Sequence, residues 1–338
     1  KGKRRSEGKS DGLDISKIID SKFEVDDVDG ALKKRDAEAR FESIIDFPYF
    51  LLHVLRVFCR AERLSMDGAE ELGSLLDDKL LLKDFDKVIA SCEKRGDMDV
   101  KRWFACTFIQ LLLSSRFLFD KFIIKRENTE DDQEGSWSLK ELRVSKKSPR
   151  YVNTEFGYYR ERDKEQKSLE RNRECLMIQS ALRVSYTSPK VMHWITELLT
   201  WLFDDESELP RLADKAERIA AEAVAEGFFE KSLEEMGAYD LREYKSEDYA
   251  FGVGTPHIVF NYLDYLLWKK AKKTHKDFVF EFRNSVEHWY PQHPSDGSIE
   301  LWDERDVFGN LCIISRSVNS KFSNLSPASK MDTYRGMV

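Results

Sequence analysis

No apolar run in the 338-residue sequence approaches the ~20 residues that a membrane-spanning helix needs, so no such helix is expected. No secretory leader is visible at the basic, polar N-terminus, and a cytoplasmic protein is expected. An initiating Met is also missing, which leads us to expect a fragment of a longer protein. There is no CxxC pair. The five cysteines (Cys59, Cys92, Cys106, Cys175 and Cys312) are scattered and odd in number, mostly among apolar neighbours. Buried free thiols in a reducing compartment are the expectation. No repeat of fixed period is present. No Gly-rich phosphate loop is present either: Gly252-Val253-Gly254 lacks the following Gly and the preceding strand.

What is there is charge and apolar surface in the proportions of a globular protein. The hydrophobic fraction is 41% and the charged fraction 35%, on a chain long enough for two domains. The net charge is −7. Nucleic-acid binding draws much of its affinity from basic patches, so overall acidity argues against tight non-specific binding without excluding a local basic face.

The predicted organisation has three parts. Residues 1–35 read as a flexible linker or tail, and the Lys- and Arg-rich first dozen residues could alternatively be a DNA-contacting arm. Residues 36–274 read as a helical domain. Phe47-Pro48-Tyr49-Phe50-Leu51-Leu52-His53-Val54-Leu55 begins a helix apolar nearly all round, with Pro48 in its first turn and His53 a satisfied core histidine. Further helices are expected over 77–92, 98–124, 163–182, 190–203, 212–234 and 256–273. Residues 127–134 read as an acidic loop and 137–144 as a short strand or turn. In the polar segment 146–162, Tyr151, Tyr158, Tyr159 and Arg160 could stack on nucleic acid or pack on the bundle. Residues 275–338 read as a small strand-containing module. The fold class is therefore mainly α: a multi-helix bundle followed by a small α+β module.

That last module holds the candidate chemistry. Phe278-Val279-Phe280-Glu281-Phe282 alternates like a strand and runs into Glu287-His288-Trp289-Tyr290-Pro291-Gln292. Gly309-Asn310-Leu311 opens a second apolar strand, and Asn319-Ser320-Lys321-Phe322-Ser323-Asn324 follows. Phosphodiester hydrolysis needs a base for water and a cation for the developing charge. His288 can be the base, because an imidazole ordinarily titrates near working pH. Glu287 and Asn319 offer hard oxygens that suit Mg²⁺ or Mn²⁺ better than Zn²⁺. Asn310 can tie the intervening loop by side-chain hydrogen bonds and so orient His288. Taken singly, a Glu-His pair is most often a surface pair and an Asn after Gly a turn. His293, His257 and His275 read as exposed or structural.

Those three segments, in that order, resemble the HNH (His-Me finger, ββα-metal) nucleases. They are most similar to the C-terminal nuclease domain of GmrSD-type modification-dependent restriction enzymes and the related SspE anti-phage nickases. The helical region shares the resemblance at Phe47–Leu55, Arg116-Phe117-Leu118-Phe119-Asp120-Lys121, Leu182-Arg183-Val184-Ser185 and Trp302. The resemblance spans about residues 40–335. It implies catalytic His288, Asn310 and Asn319, and metal ligands Glu287 and Asn319 for one Mg²⁺ or Mn²⁺ ion. It also implies phosphate contacts from Lys321, Lys330 and Arg316. Two departures stand out: Glu replaces the Asp common at the ligand position, and Asn replaces a third-position His. The implied activity is a metal-dependent endonuclease or nickase acting on foreign, possibly modified, double-stranded DNA in anti-phage defence. Its implied partners are an N-terminal nucleotide-hydrolysing domain or subunit and, in a homo-oligomer, further copies. The Asp-Gly-Gln-Gln-Arg-like motif of such a domain does not occur here. Two alternatives remain open: a helical DNA- or protein-binding module with a degenerate nuclease domain, and a small domain in which these residues are only structural.

Overall fold

The computed structural model describes residues 40–64, 72, 74–93, 99–128, 135–145, 148–156, 164–204, 211–294 and 302–334. The chain divides into two compact units. One comprises Lys1–Phe41 and Glu127–Ser136; the other comprises Glu42–Arg126 and Trp137–Val338. The expected tail over 1–35, most of the acidic loop, Tyr158, Tyr159 and Arg160 lie outside the described residues. Three short strands, β1 (Arg40–Ser43), β2 (Lys125–Asn128) and β3 (Ser136–Ser138), straddle the sequence borders of the units. Everything that follows belongs to the second unit, which is mainly helical.

Helix α1 (Phe47–Ala61) has Pro48 in its first turn, where a missing N–H costs nothing, and buries eight side chains from Phe50 to Cys59. It packs on α2 (Leu81–Glu93), α3 (Val100–Phe122) and α5 (His193–Asp204). Phe58, Phe85, Phe104 and Phe108 fill that junction with mostly edge-on ring contacts, the arrangement ring quadrupoles favour. His53 is fully buried with Nδ1 2.7 Å from Thr196 Oγ1. Its Nε2 has no partner, so this core histidine is only half satisfied. A second layer packs α4 (Lys164–Ser185) against α6 (Leu212–Phe228) and α8 (His257–Lys270). Buried amides join the irregular segments to it. Gln179 accepts from the Ile124 N–H at 3.1 Å and donates to the Phe122 carbonyl at 2.9 Å, which satisfies the backbone where α3 ends. Strands β4 (Lys140–Ser145) and β5 (Ser148–Asn153) form an antiparallel pair in which Leu142 faces Tyr151.

Three expectations from the sequence change here. The helix expected over 212–234 ends at Phe228, and a new short helix, α7 (Leu233–Gly237), starts from a Ser232–Glu235 capping box. Cys106 is exposed on α3 rather than buried; Cys59, Cys92 and Cys175 are buried and Cys312 partly so. Residues 278–284 form no strand. Their backbone is used otherwise. The Trp137 indole donates to the Phe280 carbonyl at 2.8 Å, Arg173 donates to the Lys276 carbonyl, and Phe280 is buried in the helical core. Phe280 is buried but Phe282 is exposed, so the alternation is only partly used.

The C-terminal part is built on a two-stranded antiparallel sheet. Strand β6 (Ser285–His288) pairs with β7 (Leu311–Ile314), placing Glu287 opposite Cys312 and His288 opposite Leu311. A tight 3-10 turn, Phe308–Asn310, leads into β7. Helix α9 (Arg316–Phe322) follows, capped by the Ser315 hydroxyl accepting from the Val318 N–H at 3.3 Å, and then α10 (Pro327–Tyr334). Val286 and Ile313 pack on Phe260 of α8, so this sheet rests on the last long helix.

Candidate active site

Side chains alternate along β6. Ser285 and Glu287 take one face, Val286 and His288 the other, and burial follows the same alternation. The strand ends at His288. The two members of the Glu-His pair therefore flank the strand end from opposite sides.

On the His288 side, the imidazole is 5% exposed and its Nε2 lies 2.7 Å from Asp306 Oδ1. Gln292 Nε2 donates to the same oxygen at 3.2 Å. The bond to His288 holds the Asp306 carboxyl below the usual carboxylate range, with Gln292 adding to the effect against partial desolvation. Nothing in the sequence singles out Asp306. It lies 18 positions from His288 in a polar loop, with no motif around it.

Asn310 occupies the place between the strands that its position before β7 implies. It is 5% exposed. Its Oδ1 accepts from the Tyr290 N–H at 2.7 Å, and its Nδ2 donates to the Tyr290 carbonyl at 3.1 Å and the Arg305 carbonyl at 2.7 Å. Its own carbonyl accepts from the Trp289 N–H at 2.8 Å. One side chain thus closes both ends of the loop between the strands by three bonds.

On the Glu287 side stands Lys330 of α10. Its ammonium donates to Glu287 Oε1 at 2.9 Å, to the His288 carbonyl at 2.7 Å and to the Trp289 carbonyl at 3.2 Å. It is 1% exposed. This corrects the expectation of a phosphate contact. An ammonium has three donors, and here all three are spent inside the protein. Arg316 and Lys321 are exposed on α9. Asn319 comes from the same helix, and its Nδ2 donates to Ser285 Oγ at 2.6 Å. That bond orients the amide so that its Oδ1, the atom a cation would use, is the one left over.

The donor set fits a hard divalent ion. Glu287 retains a carboxylate oxygen beyond the one held by Lys330, and Asn319 offers a neutral carbonyl oxygen; Mg²⁺ and Mn²⁺ accept such ligands and keep several waters. Zn²⁺ prefers Cys and His ligands, which neither Glu287 nor Asn319 supplies. His293 and His275 are exposed and His257 is half-buried at the start of α8.

Residues 242–336 match the family model described as GmrSD restriction endonucleases, C-terminal domain. No curated protein matches the chain, and no solved structure does. The similarity is to the C-terminal domain of restriction endonucleases and is confined to residues 242–336. The match begins well before residue 275. The packing gives a reason: Phe260 of α8 supports β6 and β7, and the Gly252 N–H donates to the Asp306 carbonyl at 3.0 Å. No helix among the described residues is long and apolar enough to cross a membrane.

Proposed function

We propose that the chain is a metal-dependent HNH-type endonuclease or nickase that hydrolyses phosphodiester bonds in foreign double-stranded DNA. The observation that carries this reading is the tethering of the strand end. Asn310 locks the backbone around Tyr290, so His288 and Glu287 are presented from a fixed β6 terminus with Asn319 beside Ser285. His288 accepts the proton of the attacking water through the ring nitrogen that Asp306 leaves unbonded. Glu287 and Asn319 would hold Mg²⁺ or Mn²⁺, which supplies charge neutralisation at the phosphate and the leaving oxygen. Lys330 directs the Glu287 carboxylate through its bond to Oε1, while Arg316 and Lys321 bind phosphates along the strand. An upstream nucleotide-hydrolysing domain or subunit and a homo-oligomeric, cytoplasmic restriction assembly complete the proposal.

The test is plasmid relaxation with Mg²⁺ or Mn²⁺. His288→Ala should abolish cleavage without loss of fold, and EDTA should stop the wild-type reaction. Nicking by His288→Ala at the wild-type rate would end this reading.

One observation favours a second reading, a degenerate binding module: the cation nearest Glu287 is the protein's own Lys330. Calorimetric titration separates the two. A degenerate module takes up no Mn²⁺, whereas the nuclease binds it and loses that binding in Glu287→Gln.

A further inference from the structure

From the geometry we infer that Asp306 is the positioning residue for His288, and that the turn at Gly252 is built to seat it. The inference rests on the nuclease reading and adds to it a tautomer and a supporting backbone. A carboxylate only accepts hydrogen bonds, so at 2.7 Å the Nε2 of a neutral His288 must carry the proton. Nδ1 is then the unprotonated nitrogen, and it makes no hydrogen bond among the described residues. Asp306 is itself fixed from two sides. Gln292 donates to the same Oδ1, and the Gly252 N–H donates to the Asp306 carbonyl. Gly252 has φ +54°, a region costly for residues with a side chain, and a Cβ placed there would lie 2.6 Å from Asp306 Oδ1. The glycine is therefore required twice, by its backbone angle and by the approach of the carboxylate. By contrast, a Cβ at Gly254, two residues on, would meet nothing within 4 Å. The short Gly252–Gly254 turn has no value as a phosphate loop, yet it forms the floor under the His288–Asp306 pair. It belongs to the segment before α8, so helical body and strand module meet at the base.

The test uses the full chain and two readouts. The first is the tautomer of His288, read from ring ¹⁵N shifts in long-range ¹H–¹⁵N spectra at about pH 8.5, two units above the usual histidine pKa. The second is nicking kinetics. Wild type should show Nε2–H. Asp306→Asn and Asp306→Ala should shift the ring towards Nδ1–H and lower kcat about 100- to 10,000-fold, with KM for DNA changed less than about 2-fold. Gly252→Ala should move both readouts in the same direction and Gly254→Ala neither. A wild-type Nδ1–H ring, or an unchanged tautomer in both Asp306 variants, overturns the inference. So does a kcat within about 3-fold of wild type in both variants while His288→Ala is dead. If His288→Ala itself remains active, the nuclease reading fails, and the spectra still decide whether Asp306 sets the tautomer.

Discussion

Replacing Lys330 by Met tests the structure where it departs most from expectation. Methionine keeps most of the stem that packs against Phe322, whose ring centroid lies 5.5 Å from the ammonium. What disappears is the charge and its three bonds. Lys330 is 0% and Glu287 12% exposed at the side chain, so the carboxylate left behind has little water to turn to. The carbonyls of His288 and Trp289 lose their donor as well. Removing one partner of a buried ion pair costs about 3–5 kcal/mol, because the other charge stays buried and unpaired. With a urea dependence of about 2 kcal/mol per molar, the midpoint falls by roughly 1.5–2.5 M. Intrinsic fluorescence can follow this, since Trp289 packs edge-on against Phe322 at 6.1 Å. The double variant Lys330→Met, Glu287→Gln should recover at least half of the loss, as the stranded charge is then gone. A single variant within about 1 kcal/mol of wild type, or a double variant showing simple additivity, would refute the buried-pair account.

Three further outcomes follow from particular side chains. Asn310→Ala removes the three side-chain bonds to Tyr290 and Arg305 that close the loop, which should cost about 2–4 kcal/mol in the same melt and leave nicking undetectable. Burial, reinforced by the positive fields of His193 and Arg56, pushes the His53 pKa down to about 3. Its neutral form is the folded one, so the stabilisation is complete above the unfolded pKa of about 6.5 and is lost as pH falls below it. At pH 5 the loss is about 2 kcal/mol, and His53→Gln should remove that part of the slope in pH-dependent urea melts. The double variant Arg316→Gln, Lys321→Gln should weaken DNA binding without changing its base preference. The slope of log affinity against log salt should drop by about 0.9 for each phosphate no longer neutralised, measured by fluorescence anisotropy.

The helices are legible in the sequence because their apolar spacing is a local property. Phe50, Val54, Val57 and Phe58 recur at helical intervals whatever surrounds them. Asn310 is legible only in part, since an Asn after Gly most often marks a turn and its bonds to Tyr290 and Arg305 are set by the fold. The residues that mislead are those whose local pattern admits two partners. The alternation over 278–282 suits a strand, but Trp137 and Arg173, far away in sequence, take the neighbouring carbonyls first. Lysine is by default solvated, and only the arrival of α10 beneath Glu287 buries Lys330. Asp306 has no local signature at all, because its importance is the 2.7 Å approach to His288.

The amino-acid sequence alone determined the helical class, the order of Glu287, His288, Asn310 and Asn319, and the preference of their oxygens for a hard cation. Those follow from periodicity and from the chemistry of side chains, which do not depend on the fold. The tertiary structure decided which groups those residues meet. It gave His288 a carboxylate, Glu287 an ammonium and Asp306 a glycine floor, because each pairing joins segments that only packing brings within hydrogen-bond distance.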